Sequence, residues 1–420
     1  MDLRRFWRAL GPGLVTGAAD DDPSGIATYS QAGAQFGYAL TWTMLLTLPF
    51  MVAIQIISAC IGWQTRRGLA RNIAQQFPPV VLYVLVALLV VANTINIAAD
   101  LAAMGEALTL VTGGPSLLFA LAFGAVGLVL EVFVPYHRYA GFLKFLTLVL
   151  FVYVAAAFSV HVPWGEVLAS TFLPSLSVDR DYLLTIVAVF GTTISPYLFF
   201  WQASQEAEES RMSHRNMLAG EPHAPDDFFS HIAGDTWVGM TLSNCVAFFI
   251  IVTTAATLNA HGITKIDTAA QAAEALRPIA GELTFILFAA GIIGTGLLAV
   301  PVLAGSAAYA VTESFGLRGS LELPASRALG FYAIVGAATL GGAALTATKI
   351  DPIAMLFWTA VINGVVAVPI MAAMMWVISS KKGGVAVSLP RWIKILGWLA
   401  TALMGLAVVL MIWSSFAGAT

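Results

Sequence analysis

The chain is 420 residues long, 59% hydrophobic and only 10% charged, with a mean hydropathy of +0.85. A soluble domain carries about 25% charged residues, so this composition excludes one. The net charge of −3 gives no case for a nucleic-acid partner. A membrane-crossing helix needs roughly 20 apolar residues. Eleven candidates are centred near residues 20, 52, 95, 124, 152, 193, 247, 296, 337, 366 and 405. The predicted class is therefore an all-α polytopic membrane protein, a single unit over 1–420 with the bilayer as its surroundings. The longest polar stretch, 203–235, is too short for a soluble catalytic domain and holds no nucleotide or metal motif, so neither a cofactor nor an obligate protein partner is expected.

The opening "MDLRRFWR" is charged like the start of a signal peptide, but no small-residue cleavage site precedes the acids that follow, so this segment is expected to be retained. Within the first span, "AADDDPSGIATYS" (18–30) sets Asp20, Asp21 and Asp22 beside Pro23. If Arg8 marks the cytoplasmic interface, Asp22 lies fourteen residues on, about 20 Å along a helix and near the middle of the membrane. An Asp followed by Pro is also an ordinary helix start, with the carboxylate as N-cap and proline in the first turn. Capping does not account for three adjacent carboxylates at that depth, where ionisable residues are rare and usually functional. Asp22 is the principal candidate for contact with a cargo, with Asp21 beside it. Asp20 is the candidate for holding a proton or lining a watery vestibule.

Cys60 in span two and Cys245 in span seven read as isolated, buried, weakly polar residues rather than a bridge or a metal pair. Span six repeats the pattern of span one. In "LLTIVAVFGTTISPYLFFWQ" (183–202) an apolar run turns polar at Gly191, Thr192, Thr193 and Ser195, meets Pro196 and resumes. Proline removes an amide donor and clashes with the preceding turn, while Gly25 and Gly191 loosen the chain beside it. Each break frees backbone carbonyls, tolerated in a bilayer only where protein or a hydrated cavity satisfies them. The two unwound turns are therefore expected to face each other. An odd number of spans per repeat inverts the second copy. Residues 9–162 (spans one to five) and 181–380 (spans six to ten) are read as inverted repeats, with span eleven at 392–416 appended, the arrangement in which carriers bind cargo between broken helices.

Alternating spans with the N-terminus cytoplasmic put Arg4, Arg5, Arg8, Arg66, Arg67, Arg71, Arg138, Lys144, Arg211, Arg215, Arg318, Arg327, Lys381, Lys382, Arg391 and Lys394 on the cytoplasmic side, 16 of the 20 basic residues. Arg180, Lys265, Arg277 and Lys349 remain outside. The bias supports a multi-pass protein of the cytoplasmic membrane with its C-terminus outside.

These residues resemble the NRAMP family of metal-ion transporters. "GPGLVTGAADDDPSGIATYSQAGAQFGYALTW" (11–42) is similar to that family's first span, whose signature is Asp-Pro-Gly-Asn, and "GTTISPYLFFWQ" (191–202) to its sixth, which carries Met-Pro-His. The likeness continues through "ADLAAMGEAL" and "GIIGTGLLAVPVLAGSAAYAVTESFG". It implies a LeuT-type 5+5 inverted repeat with broken helices 1 and 6, and a transported divalent cation. The family's ligands fall here on Asp22, on Gly25 where the family has Asn, on Ser195 where it has Met, and on the carbonyls of Ala19 and Thr192. Loss of the thioether points to harder ions such as magnesium or manganese, and small residues leave room for the waters that magnesium sheds reluctantly. Asn363, two residues from a position where the family often has Gln, either approaches the ion or bridges two helices.

Proton-driven relatives are thought to use a Glu in span three and His residues in span six. The resemblance places Ala103 at the Glu and Tyr197 and Gln202 at the His positions, while Asp100 is retained. Glu106, one turn on, either takes over the relay or faces a polar helix contact. His137, His161, His214, His223, His231 and His261 fall in or near predicted loops and offer no replacement pair. Weak or altered proton coupling is the expectation. Ser195, Gln202 and Glu206 share one helix face, where Glu206 either guards the cytoplasmic mouth or sits on an ordinary solvated surface. Two other readings compete with a divalent-metal carrier: the same scaffold carrying a small organic cation, since one fold serves many ligands, and an intramembrane aspartyl hydrolase using two of the acids as a dyad. The dyad lacks a second carboxylate motif in a distant span.

Overall fold

The computed structural model describes residues 12–134, 148–219, 228–317, 319–321, 323–348, 350–380 and 387–417, and the regular structure among them is helical. Arg4, Arg5, Arg8, Arg138, Lys144, Arg318, Lys349, Lys381, Lys382, His137 and His223 lie outside the described residues, as does the opening segment.

The first expected span is two helices, α1 (Pro12–Asp20) and α2 (Pro23–Phe36), separated by Asp21 and Asp22. Then come α3 (Trp42–Thr65), α4 (Pro79–Thr112), α5 (Ser116–Phe133) and α6 (Phe151–Ser159). The sixth expected span is again two helices, α7 (Arg180–Thr193) and α8 (Pro196–Ala219), broken at Ile194 and Ser195. After these follow α9 (Phe228–Thr257), α10 (Thr284–Ser314), α11 (Leu329–Thr346), α12 (Pro352–Ser379) and α13 (Arg391–Ala417). Both breaks fall where carboxylate or Gly-Thr-Thr-Ile-Ser sequence meets proline.

Among the described residues nine helical runs are long and apolar enough to cross a membrane, or ten if Leu148–Ser159 and Trp164–Phe172, bent at 117°, count as one. Eleven were expected. The difference includes the first span, which its break divides into helices of 9 and 14 residues. Neither is long enough to cross alone at 1.5 Å per residue.

The apolar helices have no polar face to show, and large side chains such as Val91, Leu118, Val129, Leu340 and Val409 stand exposed on the outer surface, where lipid would cover them. Inside, small residues bring backbones together, the packing expected where lipid tails compete equally with apolar side chains. Close approach fixes the second break: a methyl at Gly191 on α7 would stand 2.1 Å from the Ala360 carbonyl and 2.4 Å from the Gly364 nitrogen of α12. α1 is seated against α9 in the same way.

Two expectations fail here. Cys60 is buried as expected, but Cys245 is exposed, because its position on α9 faces away from the bundle. His214 and His231, expected in or near loops, lie within the helices α8 and α9.

Candidate functional site

At the first break the chain makes a helix start of the kind Asp-Pro predicts. Asp22 is the N-cap of α2, with extended backbone, and its Oδ1 accepts from the Gly25 amide at 2.8 Å and the Ser24 hydroxyl at 2.7 Å. The cap therefore uses one carboxylate oxygen and leaves the other, Oδ2, directed at neighbouring elements. Asn96 of α4 donates its Nδ2 to that oxygen at 3.0 Å, and the Tyr197 hydroxyl of α8 stands 3.4 Å from it. The same hydroxyl lies 3.0 Å from the Ala19 carbonyl, one of those freed by the break.

The second break is closed by its own sequence. The Ser195 hydroxyl lies 2.8 Å from the Gly191 carbonyl and 2.9 Å from that of Thr192. The two breaks face each other, as expected: a methyl at Gly25 would stand 3.0 Å from Thr192 Oγ1. That contact accounts for glycine at position 25. A side chain there would press into the opposite break.

The acids are enclosed. Asp20, Asp21, Asp22 and Asp100 are 0%, 5%, 1% and 0% exposed. Ser243 of α9 places its hydroxyl 2.7 Å from Asp20 Oδ2 and 3.1 Å from Asp21 Oδ1, leaving Asp20 Oδ1 without a partner. Asp100 lies within electrostatic reach of Asp22, and neither of its oxygens has a hydrogen-bond partner. The ion pairs among the described residues are Lys265–Asp267 at 2.6 Å and Arg277–Glu274 at 3.0 Å, so no basic side chain is paired with any of the four. Removing even one ionised carboxylate from water costs several kcal/mol after relaxation. Four together, unpaired, need protons or a cation. Among the described residues no three His, Cys, Asp or Glu side chains are grouped to hold a metal. A cation here would therefore be held by carboxylate together with amide, hydroxyl, carbonyl or water oxygen.

Several expected site residues lie elsewhere. Gln202 donates to Thr236 Oγ1 of α9 at 3.2 Å. Glu206 was weighed as a mouth residue or a solvated one. It is only 3% exposed and lies near Glu209 and Asp235, so the solvated reading is corrected. With Ser195 turned back on its own carbonyls, this helix face does not converge on Asp22. Glu106 lies beside the Ala269 backbone and within reach of Asp351, away from the broken turns, which favours the polar-contact reading. Asn363 is buried with both polar side-chain atoms unpartnered, so it does not bridge two helices by a hydrogen bond. The helix-breaking Pro23 and Pro196 stand at the first positions of α2 and α8.

Asn96 was missed. A signal for it existed, since Asn93, Asn96 and Asp100 recur at helical spacing in α4. Asn93 has a packing role, donating to Leu303 O at 2.8 Å and Ser306 Oγ at 2.7 Å.

Two cavities open at opposite ends of the bundle. One of about 670 Å³ is lined by Gln31, Gln35, Asp181, Lys265, Asp267 and Asp351 among others. The other, about 740 Å³, is lined by Arg66, Arg67, Arg71, Arg211, Arg215 and Glu313 among others. None of the four buried acids lines either one. Beside the first, an apolar layer that includes Ile26, Ala103, Phe288 and Leu356 surrounds a void of only about 10 Å³.

Comparison with known proteins adds the following. The model of the family described as natural resistance-associated macrophage protein-like matches residues 13–414. The divalent metal cation transporter MntH of Yersinia enterocolitica is 29% identical over 299 residues, spanning 69% of this chain and 68% of that protein. MntH of Pectobacterium carotovorum is 27% identical over 298 residues, with the same coverage. Among solved structures, the Eremococcus coleocola manganese transporter in complex with an aromatic bis-isothiourea compound superposes with a TM-score of 0.72 at 17% identity, over 97% of this chain and 87% of that one. MhsT in complex with L-phenylalanine superposes with a TM-score of 0.60 at 14% identity, over 96% and 98%. At such identities the structures show a shared fold, that of LeuT-type transporters.

Proposed function

Because this chain belongs to the natural resistance-associated macrophage protein-like family, we propose that it is a secondary transporter that carries divalent metal cations across the cytoplasmic membrane. The observation that carries this reading is the group of four buried carboxylates, three at the first helix break and Asp100 on α4, with no basic side chain among the described residues paired to them. The relatives named divalent metal cation transporters support it.

The preferred cargo is a hard ion, magnesium or manganese, since the residue at the family's thioether position is Ser195 and oxygen donors suit such ions. Transport proceeds by alternating access, with the halves 9–162 and 181–380 rocking about the broken helices. The acidic cavity faces outward and concentrates cations, while the arginine-lined cavity faces the cytoplasm, in keeping with the charge sorting of the loops. Proton coupling is weak or altered, because Ala103, Tyr197 and Gln202 cannot titrate as a Glu and two His residues would. A divalent ion entering down the membrane potential gains about 4.6 kcal/mol per 100 mV, from about 2.3 per charge. That suffices for accumulation without a proton.

The test is uptake of magnesium, manganese, calcium and cadmium into proteoliposomes with internal pH recorded. Uptake of magnesium or manganese without stoichiometric internal acidification is expected. Failure to move any of the four would overturn the reading and favour the organic-cation alternative.

A further inference from the structure

We propose that the cation site of this chain is displaced toward α4, where the amide absent from position 25 is supplied by Asn96 and the second carboxylate by Asp100. This rests on the reading of the chain as a divalent-cation carrier and specifies where, and with what atoms, the ion is held.

The carbonyls of Ala19, Gly191 and Thr192 at the breaks are already served by the chain. Tyr197 places its hydroxyl over the Ala19 carbonyl, and Ser195 places its own over those of Gly191 and Thr192. Asp22 Oδ1 accepts two short hydrogen bonds as the cap of α2, which fills its lone pairs. What remains open around Asp22 lies toward α4. Asp22 Oδ2 meets only the Asn96 amide at 3.0 Å and the longer Tyr197 contact at 3.4 Å. Asn96 gives its Nδ2 to this oxygen and is 0% exposed, but its Oδ1 has no donor. One turn further on, Asp100 is equally buried, with both oxygens unpartnered and Asp22 within electrostatic reach.

A buried polar group normally finds a hydrogen-bond partner, and those that do not call for an explanation. Beside Asp22, the unanswered atoms Asn96 Oδ1 and Asp100 Oδ1 and Oδ2 are acceptors one turn apart on α4, next to a carboxylate whose second oxygen keeps one contact at 3.0 Å and one at 3.4 Å. Acceptors in common, with no basic side chain among the described residues paired to them, are what a cation requires. Two carboxylates and an amide oxygen, with water completing the shell, form an all-oxygen set suited to a hard divalent ion. Gly25 has no side chain with which to supply the amide, and Thr192 of the opposite break stands close to where one would be. Asn96 reaches the same carboxylate from the third span instead.

The experiment measures manganese and magnesium binding to the purified full-length protein by calorimetry, with the manganese-induced rise in melting temperature as a second readout. The variants are Asn96→Ala, Asp100→Asn and, as a control for loss of an α4 amide that is bonded to α10 and not to Asp22, Asn93→Ala. Asn96→Ala and Asp100→Asn should each weaken manganese binding by about tenfold or more, the scale seen on disturbing a metal site, and should shrink the manganese-induced thermal shift. Asn93→Ala should lower the melting temperature of the free protein while leaving manganese affinity unchanged. If Asn96→Ala and Asp100→Asn bind as the wild type does while Asp22→Asn does not, the ion sits on Asp22 and the unwound carbonyls. The displaced site is then wrong, although the carrier reading stands. A wild-type protein that binds neither ion removes the carrier reading, and the displaced site with it.

Discussion

Replacing Asp22 by Asn separates the charge of this residue from its role in folding. An asparagine caps a helix about as well as an aspartate, so its side-chain oxygen can keep the contacts to the Gly25 amide and Ser24 hydroxyl, now 2.8 Å and 2.7 Å long. On the other side the new NH2 would meet the donors Asn96 and Tyr197. The Asn96 amide can turn over to present its free oxygen, and the Tyr197 hydroxyl retains the Ala19 carbonyl. The cost to stability should therefore be about 1 kcal/mol, the scale of one rearranged hydrogen bond. The cost to cation binding is larger. Two unit charges about 4 Å apart interact by about 4 kcal/mol at an effective dielectric of 20, and a divalent ion doubles this. If the loss of repulsion among the neighbouring acids returns half, about 4 kcal/mol remains, nearly a thousandfold in affinity. Calorimetry with manganese and uptake into proteoliposomes, read beside a thermal melt, give both quantities. Affinity within threefold of the wild type in a variant that melts normally would refute the assignment of Asp22 as the principal ligand.

Three further changes address the surroundings. Ser195→Met removes the hydroxyl over the Gly191 and Thr192 carbonyls and supplies a thioether, so competition assays should show cadmium gaining on magnesium by about tenfold; an unchanged preference would place selectivity elsewhere. Tyr197→Phe leaves the Ala19 carbonyl without its donor and Asp22 with one contact fewer, so chemical denaturation should show a loss of about 1–3 kcal/mol. No loss would mean that water replaces the hydroxyl. Gly17→Val drives a side chain into α9, where even a methyl would stand 2.4 Å from the Gly239 carbonyl. Overpacking of this kind costs about 1–3 kcal/mol and should lower the melting temperature and the uptake rate together, whereas a silent substitution would show that α1 is not seated on α9.

Both breaks were legible because the signals are local: ionisable or polar residues inside an apolar run, followed by a proline that cannot continue a helix. The two breaks facing each other followed from the need to satisfy carbonyls freed in a bilayer, and the Gly25–Thr192 contact agrees. What could not be read depends on side-chain direction or on register across distant elements. Ser195 turning back on its own carbonyls is a rotamer choice. The Asn96–Asp22 bond joins residues 74 apart and exists only once α4 is laid against the first break. Glu206 looked solvated because it lies near the polar end of a span, yet α8 continues as helix and α9 covers it, with Asp235 among its neighbours. Cys245 looked buried because apolar neighbours in sequence do not say which helix face meets lipid. The span count fell short partly because hydropathy alone treats a snapped helix as a whole one.

Anomalous scattering from crystals of the protein soaked in manganese would locate the cargo directly. A peak is expected between the two breaks, beside Asp22 Oδ2 and within coordinating distance of α4. A peak confined to the acidic cavity near Asp181 and Asp351, with nothing at the breaks, would contradict it.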